Sequence, residues 1–149
     1  MQVMQERLGK VDPLMIKAVG PMAGGSRVYS LCGALQAGIV VLGMLYGPEG
    51  EQKASSEALM ESSEPVKAFY REFEKAFGSR LCHKITKADF NIPEERQKWI
   101  DRGGREECSR LCGTAVRILF NIIKEKGKTS FQKMEIELGI KPKLLTGGD

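Results

Sequence analysis

Apolar residues recur at helical spacing along most of the chain, and glycine or proline marks the breaks between runs. Asp12-Pro13 reads as an N-cap with a first-turn proline, opening a helix through Leu14, Met15, Ala18 and Val19 that stops at Gly20-Pro21. Gly24-Gly25 is a turn, and Ser26 is placed to cap a helix over residues 26–46 that is apolar nearly all round, as a central element would be. Gly47-Pro48 ends it. Residues 51–64 are polar and serine-rich, suiting a weakly packed helix or a connection. Ser63-Glu64-Pro65 then reads as the start of a helix bearing Val66, Phe69, Tyr70, Phe73 and Phe77 on one face, with Gly78 as its C′ residue.

Ser79 is expected to cap a short helix containing Cys82, and Asn91-Ile92-Pro93 to open another with Trp99 and Ile100. Beyond Gly103-Gly104, the set Leu111, Ala115, Ile118, Leu119, Ile122 and Ile123 traces one helical face to Lys126, where Gly127 is the expected stop. Glu106 and Glu107 in its first turn, with Lys124 and Lys126 in its last, complement the helix dipole. Residues 130–138 suggest one more short helix, with a frayed tail from Pro142. No stretch alternates as strands do. The expected class is all-α: a compact helix bundle around a central glycine-rich apolar helix, with one domain over residues 1–127 and a short helix and C-terminal tail over 128–149.

At 149 residues, with 42% hydrophobic and 28% charged positions, the chain has the composition of a single globular domain rather than a disordered one. The longest apolar stretch, Leu31 to Tyr46, is interrupted by Gln36 and three glycines and falls short of the roughly 18 residues of a membrane span. No secretory signal opens the sequence. The net charge of +4 leans weakly toward anionic partners, but bases and acids alternate (Lys67, Arg71, Glu72, Glu74, Lys75) and form no stripe. Nucleic-acid binding therefore has no support. Four cysteines without a secretory signal point to the cytoplasm and to free or metal-bound thiols.

Those cysteines carry the candidate chemistry. Cys82 and Cys108 are expected near helix starts, where the dipole favours a thiolate, and Cys32 about two turns into its helix. Cys82, with Arg80, His83 and Lys84 nearby, is the expected most reactive thiol; Glu106 and Glu107 work against Cys108. Cys112 follows Cys108 by one turn, and their Cβ vectors are not aimed at each other, so no local disulfide is expected. Three converging helices would let Cys32, Cys82, Cys108 and Cys112 share a metal ion or iron–sulfur cluster. Gly33, Ala34, Ala37 and Gly38, with Gly24 and Gly25 before them, form a small-residue patch suited to tight helix packing or to the approach of a cofactor. His83, the single histidine, points about 100° away from Cys82 on a helix and makes a poor co-ligand. Phosphate-loop and covalent-haem motifs are absent from the sequence.

The run Gly24-Gly25-x6-Cys32-Gly33-Ala34-x3-Gly38, then Leu42-Gly43-x2-Tyr46-Gly47, resembles the redox-active protein family named for its C_GCAxxG_C_C motif. Phe73-x3-Phe77-Gly78-Ser79-x2-Cys82, Asp89, and Cys108-x6-Ala115 extend the similarity, which covers roughly residues 14–123. A related domain in split-Soret-type cytochromes is a weaker match. The resemblance implies a small helical domain with thiols at one end, redox-active or metal-binding, acting with a redox partner protein. Cys32, Cys82 and Cys108 match the family's last three cysteines, and Cys112 stands where an aliphatic residue is usual. The family's cysteine upstream of the glycine turn has no counterpart before Cys32, and Cys112 is the residue that could replace its sulfur. The rival reading is a non-catalytic interaction module, a homodimer packed through the Gly33/Gly38 face or the Phe69/Phe73/Phe77 row.

Overall fold

The computed structural model describes residues 1–9, 11–50 and 55–138, with side chains described as far as residue 126. Seven α-helices make up the described chain: α1 (Gln2–Arg7), α2 (Pro13–Val19), α3 (Gly33–Tyr46), α4 (Ser56–Phe77), α5 (Cys82–Thr86), α6 (Pro93–Asp101) and α7 (Gly104–Leu138). Among the described residues there is no strand, and the all-α expectation holds. None of these helices is long and apolar enough to cross a membrane.

Helices α3, α4 and α7 pack pairwise against one another and form the core. Leu35 and Leu42 of α3, Phe69 and Phe73 of α4, and Leu119 and Ile123 of α7 are all buried there, and Met4 of α1 with Leu8 just after it closes one side. Each fully buried side chain of this size contributes roughly 1.5–3 kcal/mol, so this shared interior is what holds the bundle. The α7 face expected from sequence is the face that packs, with Ile118 partly buried at its edge. Asp12 caps α2 as expected, its Oδ1 accepting from the Leu14 N–H at 2.9 Å and the Met15 N–H at 3.3 Å. Gly78 ends α4 at φ 70°, a left-handed turn that glycine adopts without strain.

Three boundaries differ from expectation. The central helix starts at Gly33, not at residue 26, because Ser26 (φ 59°), Arg27 (φ 63°) and Tyr29 (φ 56°) hold left-handed backbone in an irregular turn. Pro65 does not open a helix; it lies buried inside α4, which begins nine residues earlier at Ser56 with Ser55 as its cap. The Ser55 Oγ accepts from the Ala58 N–H there, so a true cap outcompetes the weaker signal at Ser63. Gly127 does not stop the last helix, because α7 runs unbroken to Leu138; a single glycine costs a helix only about 1 kcal/mol. The expected tail from Pro142 and the first residues of the serine-rich stretch, 51–54, lie outside the described residues.

The small-residue patch is used for packing within the chain. A Cβ on Gly38 would meet the Phe69 ring, with Cζ at 2.7 Å, and one on Gly33 would meet the Met22 carbonyl. The Phe69 and Phe73 side chains are fully buried. The two surfaces expected to serve a homodimer, the Gly38 face and this phenylalanine row, are therefore occupied inside one chain.

Candidate functional site

The cysteines are brought together by backbone pairing as much as by helix packing. Leu31 and Leu81 form an isolated antiparallel bridge. The Cys32 N–H donates to the Arg80 carbonyl at 2.8 Å, and the Cys82 N–H donates to the Ser30 carbonyl at 2.6 Å. Cys32 and Cys82 thus follow the paired residues on their own segments and share one side of the bridge. Such a diagonal pair has side chains roughly 7–8 Å apart. Gly25 makes the approach feasible: a Cβ there would stand 2.9 Å from the Cys82 Cβ, and the residue sits at φ +64°.

Helix α7 brings the other two. Cys108 lies one turn beyond Gly104, and Cys112 one turn further, on the same helix face. Against Gly104 lies the Trp99 ring, so close that a Cβ could not be accommodated. All four cysteines line one cavity of about 450 Å³, whose wall also includes Met1, Met4, Gly24, Gly33, Gly38, Phe69, Thr86, Phe90 and Trp99. Cys32 and Cys82 are buried, Cys108 is half-buried and Cys112 is exposed, and all four are free thiols.

Electrostatically, Cys32 is the hub. Negative charge on Cys32 opposes ionisation of Cys82, of Cys108 and of Cys112. Cys82 is pushed from the ordinary 9.0 up to about 11, first by burial and then by Cys32 and Cys108. Cys108 is raised by burial, by Cys112 and Cys32, and by Glu107. Cys112, although exposed as a residue, is raised by partial desolvation of its thiol on the cavity wall and by Cys32, with the terminal ammonium of Met1 acting the other way.

The expectation that Cys82 is the most activated thiol is thereby overturned. Arg80 turns to the Glu74 carboxylate, 3.1 Å away, and to the face of Tyr70. His83 is exposed and places Nδ1 2.9 Å from the Tyr29 carbonyl. Helix α5 is only five residues long, so little dipole offsets the desolvation. Instead it is Cys32, expected well inside a helix, that occupies the N-cap position of the 14-residue α3.

The thiols as they stand do not fit a resident metal ion or cluster. Among the described residues no group of three or more His, Cys, Asp or Glu side chains is positioned to hold a metal ion. Of the glycines expected to border a cofactor, Gly24, Gly33 and Gly38 do line the cavity, but Gly25 serves the approach of Cys82. Trp99 was expected as part of a short helix, and no sequence signal singled out Phe90. Here their rings meet at a tilt of 52° with centroids 4.6 Å apart, and both border the cavity.

Fold and site together define a class: a small all-α protein whose cysteines, far apart in sequence, face a common cavity. More narrowly, the chain belongs to the family described as "Putative redox-active protein (C_GCAxxG_C_C)", whose model matches residues 1–122. Comparison with curated proteins and with solved structures returned no match.

Proposed function

We propose that this protein is a thiol–disulfide redox protein of a reducing compartment such as the cytoplasm, with Cys32 as the shared thiol of its site. The observation that carries the reading is the single cavity lined by all four cysteines, in which charge on Cys32 acts on each of the others. Cys108 is the entry thiol in this reading: it is half-buried where Cys32 and Cys82 are buried, and it lies a turn nearer than the exposed Cys112 to Gly104 and the Trp99 ring. Its thiolate attacks one sulfur of a partner disulfide, forming a mixed disulfide and releasing one partner thiolate. The Cys32 thiolate then attacks the Cys108 sulfur, forming the Cys32–Cys108 disulfide and releasing the second partner thiolate. Two protein thiols are oxidised, one disulfide is reduced to two thiols, and the two protons leave the cysteines for the released sulfurs.

A metal or iron–sulfur role would need three or four of these sulfurs about 2.3 Å from a common centre. The test is equilibration of the protein in buffers of reduced and oxidised dithiothreitol, followed by alkylation and intact-mass counting. The expected result is a single two-electron step in which two alkylation sites vanish together, and in which Cys32→Ala abolishes the step. Four alkylatable thiols at every ratio, in protein that carries metal when prepared without oxygen, would replace this reading with the metal one.

A further inference from the structure

A second, smaller cavity of about 260 Å³ adjoins the thiol cavity and shares Gly24, Phe90 and Trp99 with it. Its remaining lining is Arg27, Tyr29, Arg96, Ile100 and Arg105. Three guanidinium-bearing residues from three elements therefore meet at one opening: the irregular turn before α3, helix α6, and the first turn of α7. All three are exposed, and none makes an ion pair or side-chain hydrogen bond among the described residues. Elsewhere the acids are put to use, with Glu74 on Arg80 and Glu107 near Arg102; no carboxylate lines this opening.

The arrangement is held at a conformational cost. Arg27 and Tyr29 both adopt positive φ, 63° and 56°, and such backbone in non-glycine residues collects where a ligand is clamped. Tyr29, Phe90 and Trp99 form a continuous aromatic wall, with ring centroids 5.1 Å and then 4.6 Å apart. The Trp99 Nε1 is buried with no acceptor. That nitrogen packs against Gly104 of α7, so closely that a Cβ there could not be accommodated, and it belongs to the seam between α6 and α7.

We infer that this arginine-lined pocket docks one arm of a small, carboxylate-bearing disulfide and delivers its S–S bond to the thiol cavity. The inference rests on the thiol–disulfide reading and adds its substrate class. Guanidinium groups recognise carboxylates with paired hydrogen bonds, and a cavity of about 260 Å³ admits one arm rather than a whole molecule. The chemistry on docking is the exchange written above: the substrate disulfide takes two electrons, Cys108 and Cys32 supply them, and two carboxylate-bearing thiols leave.

The experiment uses the full chain and three disulfide probes. Glutathione disulfide carries carboxylates, 2-hydroxyethyl disulfide is neutral, and cystamine is cationic. The rate of loss of alkylatable thiols is measured at low and high salt, for the native chain and for a combined Arg27→Gln, Arg96→Gln, Arg105→Gln variant. S-methylglutathione, with the same carboxylates but no disulfide, is titrated against the fluorescence of Trp99, the single tryptophan. The expected result is faster oxidation by glutathione disulfide than by the neutral probe and slowest by cystamine. That preference should fall by about fivefold or more in the triple variant, since each exposed charge pair contributes a modest factor, and salt should weaken it too. The 2-hydroxyethyl disulfide rate should stay unchanged in the variant, which shows that the thiols remain intact. An undiminished preference in the variant, or S-methylglutathione leaving Trp99 fluorescence unaltered, would overturn the inference. Arginine-dependent binding of S-methylglutathione without oxidation by any of the three disulfides would keep the anion pocket and overturn the redox reading.

Discussion

Two glycines in α3 should respond to the same substitution with opposite signs. Gly38 and Gly43 both lie inside the helix, and alanine at either gains about 1 kcal/mol of helix propensity. At Gly43 nothing stands within 4 Å of the added Cβ, so Gly43→Ala should raise stability by up to about 1 kcal/mol. At Gly38 the added Cβ would meet the Phe69 ring, 2.7 Å from Cζ and closer still to Cε1. Phe69 is fully buried and packs edge-on against Phe73, with centroids 5.9 Å apart, so its one way out is toward the thiol cavity it borders. Either α3 and α4 separate or the ring leaves its rotamer. Overpacking of this kind costs about 1–3 kcal/mol, and displacement of a buried Phe adds up to a further ~3 kcal/mol of lost burial. Taking the middle of these ranges, less the propensity gain, Gly38→Ala should lose about 2–3 kcal/mol. Urea unfolding followed by far-ultraviolet circular dichroism measures both variants. A Gly38→Ala protein as stable as the native chain would refute the packing of α3 against α4 described here.

Other outcomes follow from the same geometry. Because the Cys82 thiol is raised from 9.0 to about 11 in the folded chain, the native state keeps its proton where the unfolded chain loses it. The stability this gives is complete below pH 9 and is lost as pH rises to about 11, up to about 2–3 kcal/mol at 1.4 kcal/mol per unit. Thermal midpoints should fall over that window, and Cys82→Ala should flatten the fall; a parallel fall in the variant would contradict the burial of this thiol. Asp12→Ala removes two hydrogen bonds at the start of α2 and should cost about 1 kcal/mol in the same unfolding assay. Alkylation under native conditions, mapped by mass spectrometry, should modify exposed Cys112 before buried Cys82, and the reverse order would contradict the arrangement of the cavity.

The parts of this fold that were legible in the sequence are those set by local pattern. The buried face of α7, the Asp12 cap and the Gly78 stop depend on periodicity and turn chemistry, and each stands where the spacing puts it. The site depended on something else. Cys32 and Cys82 are neighbours because Leu31 pairs with Leu81, a contact spanning 50 residues, and because Ser26, Arg27 and Tyr29 accept a backbone conformation their side chains disfavour. No local signal announces either. Pro65 misled for a related reason, since a proline normally opens a helix, yet burial against the core keeps this one inside α4. The arginine pocket was hidden by the same acid–base alternation that made the surface look evenly solvated, because Arg96 and Arg105 sit beside Glu95 and Glu106 in sequence while Glu95 turns to the Asp89 N–H.

Mild oxidation of dilute native protein by one equivalent of diamide, followed by peptide mapping of the disulfides, most directly tests whether these sulfurs are gathered around Cys32. The arrangement predicts a within-chain Cys32–Cys108 bond that forms in folded protein and is lost on prior unfolding in urea. Only bonds between chains, or only a Cys108–Cys112 bond with Cys32 still alkylatable, would contradict it.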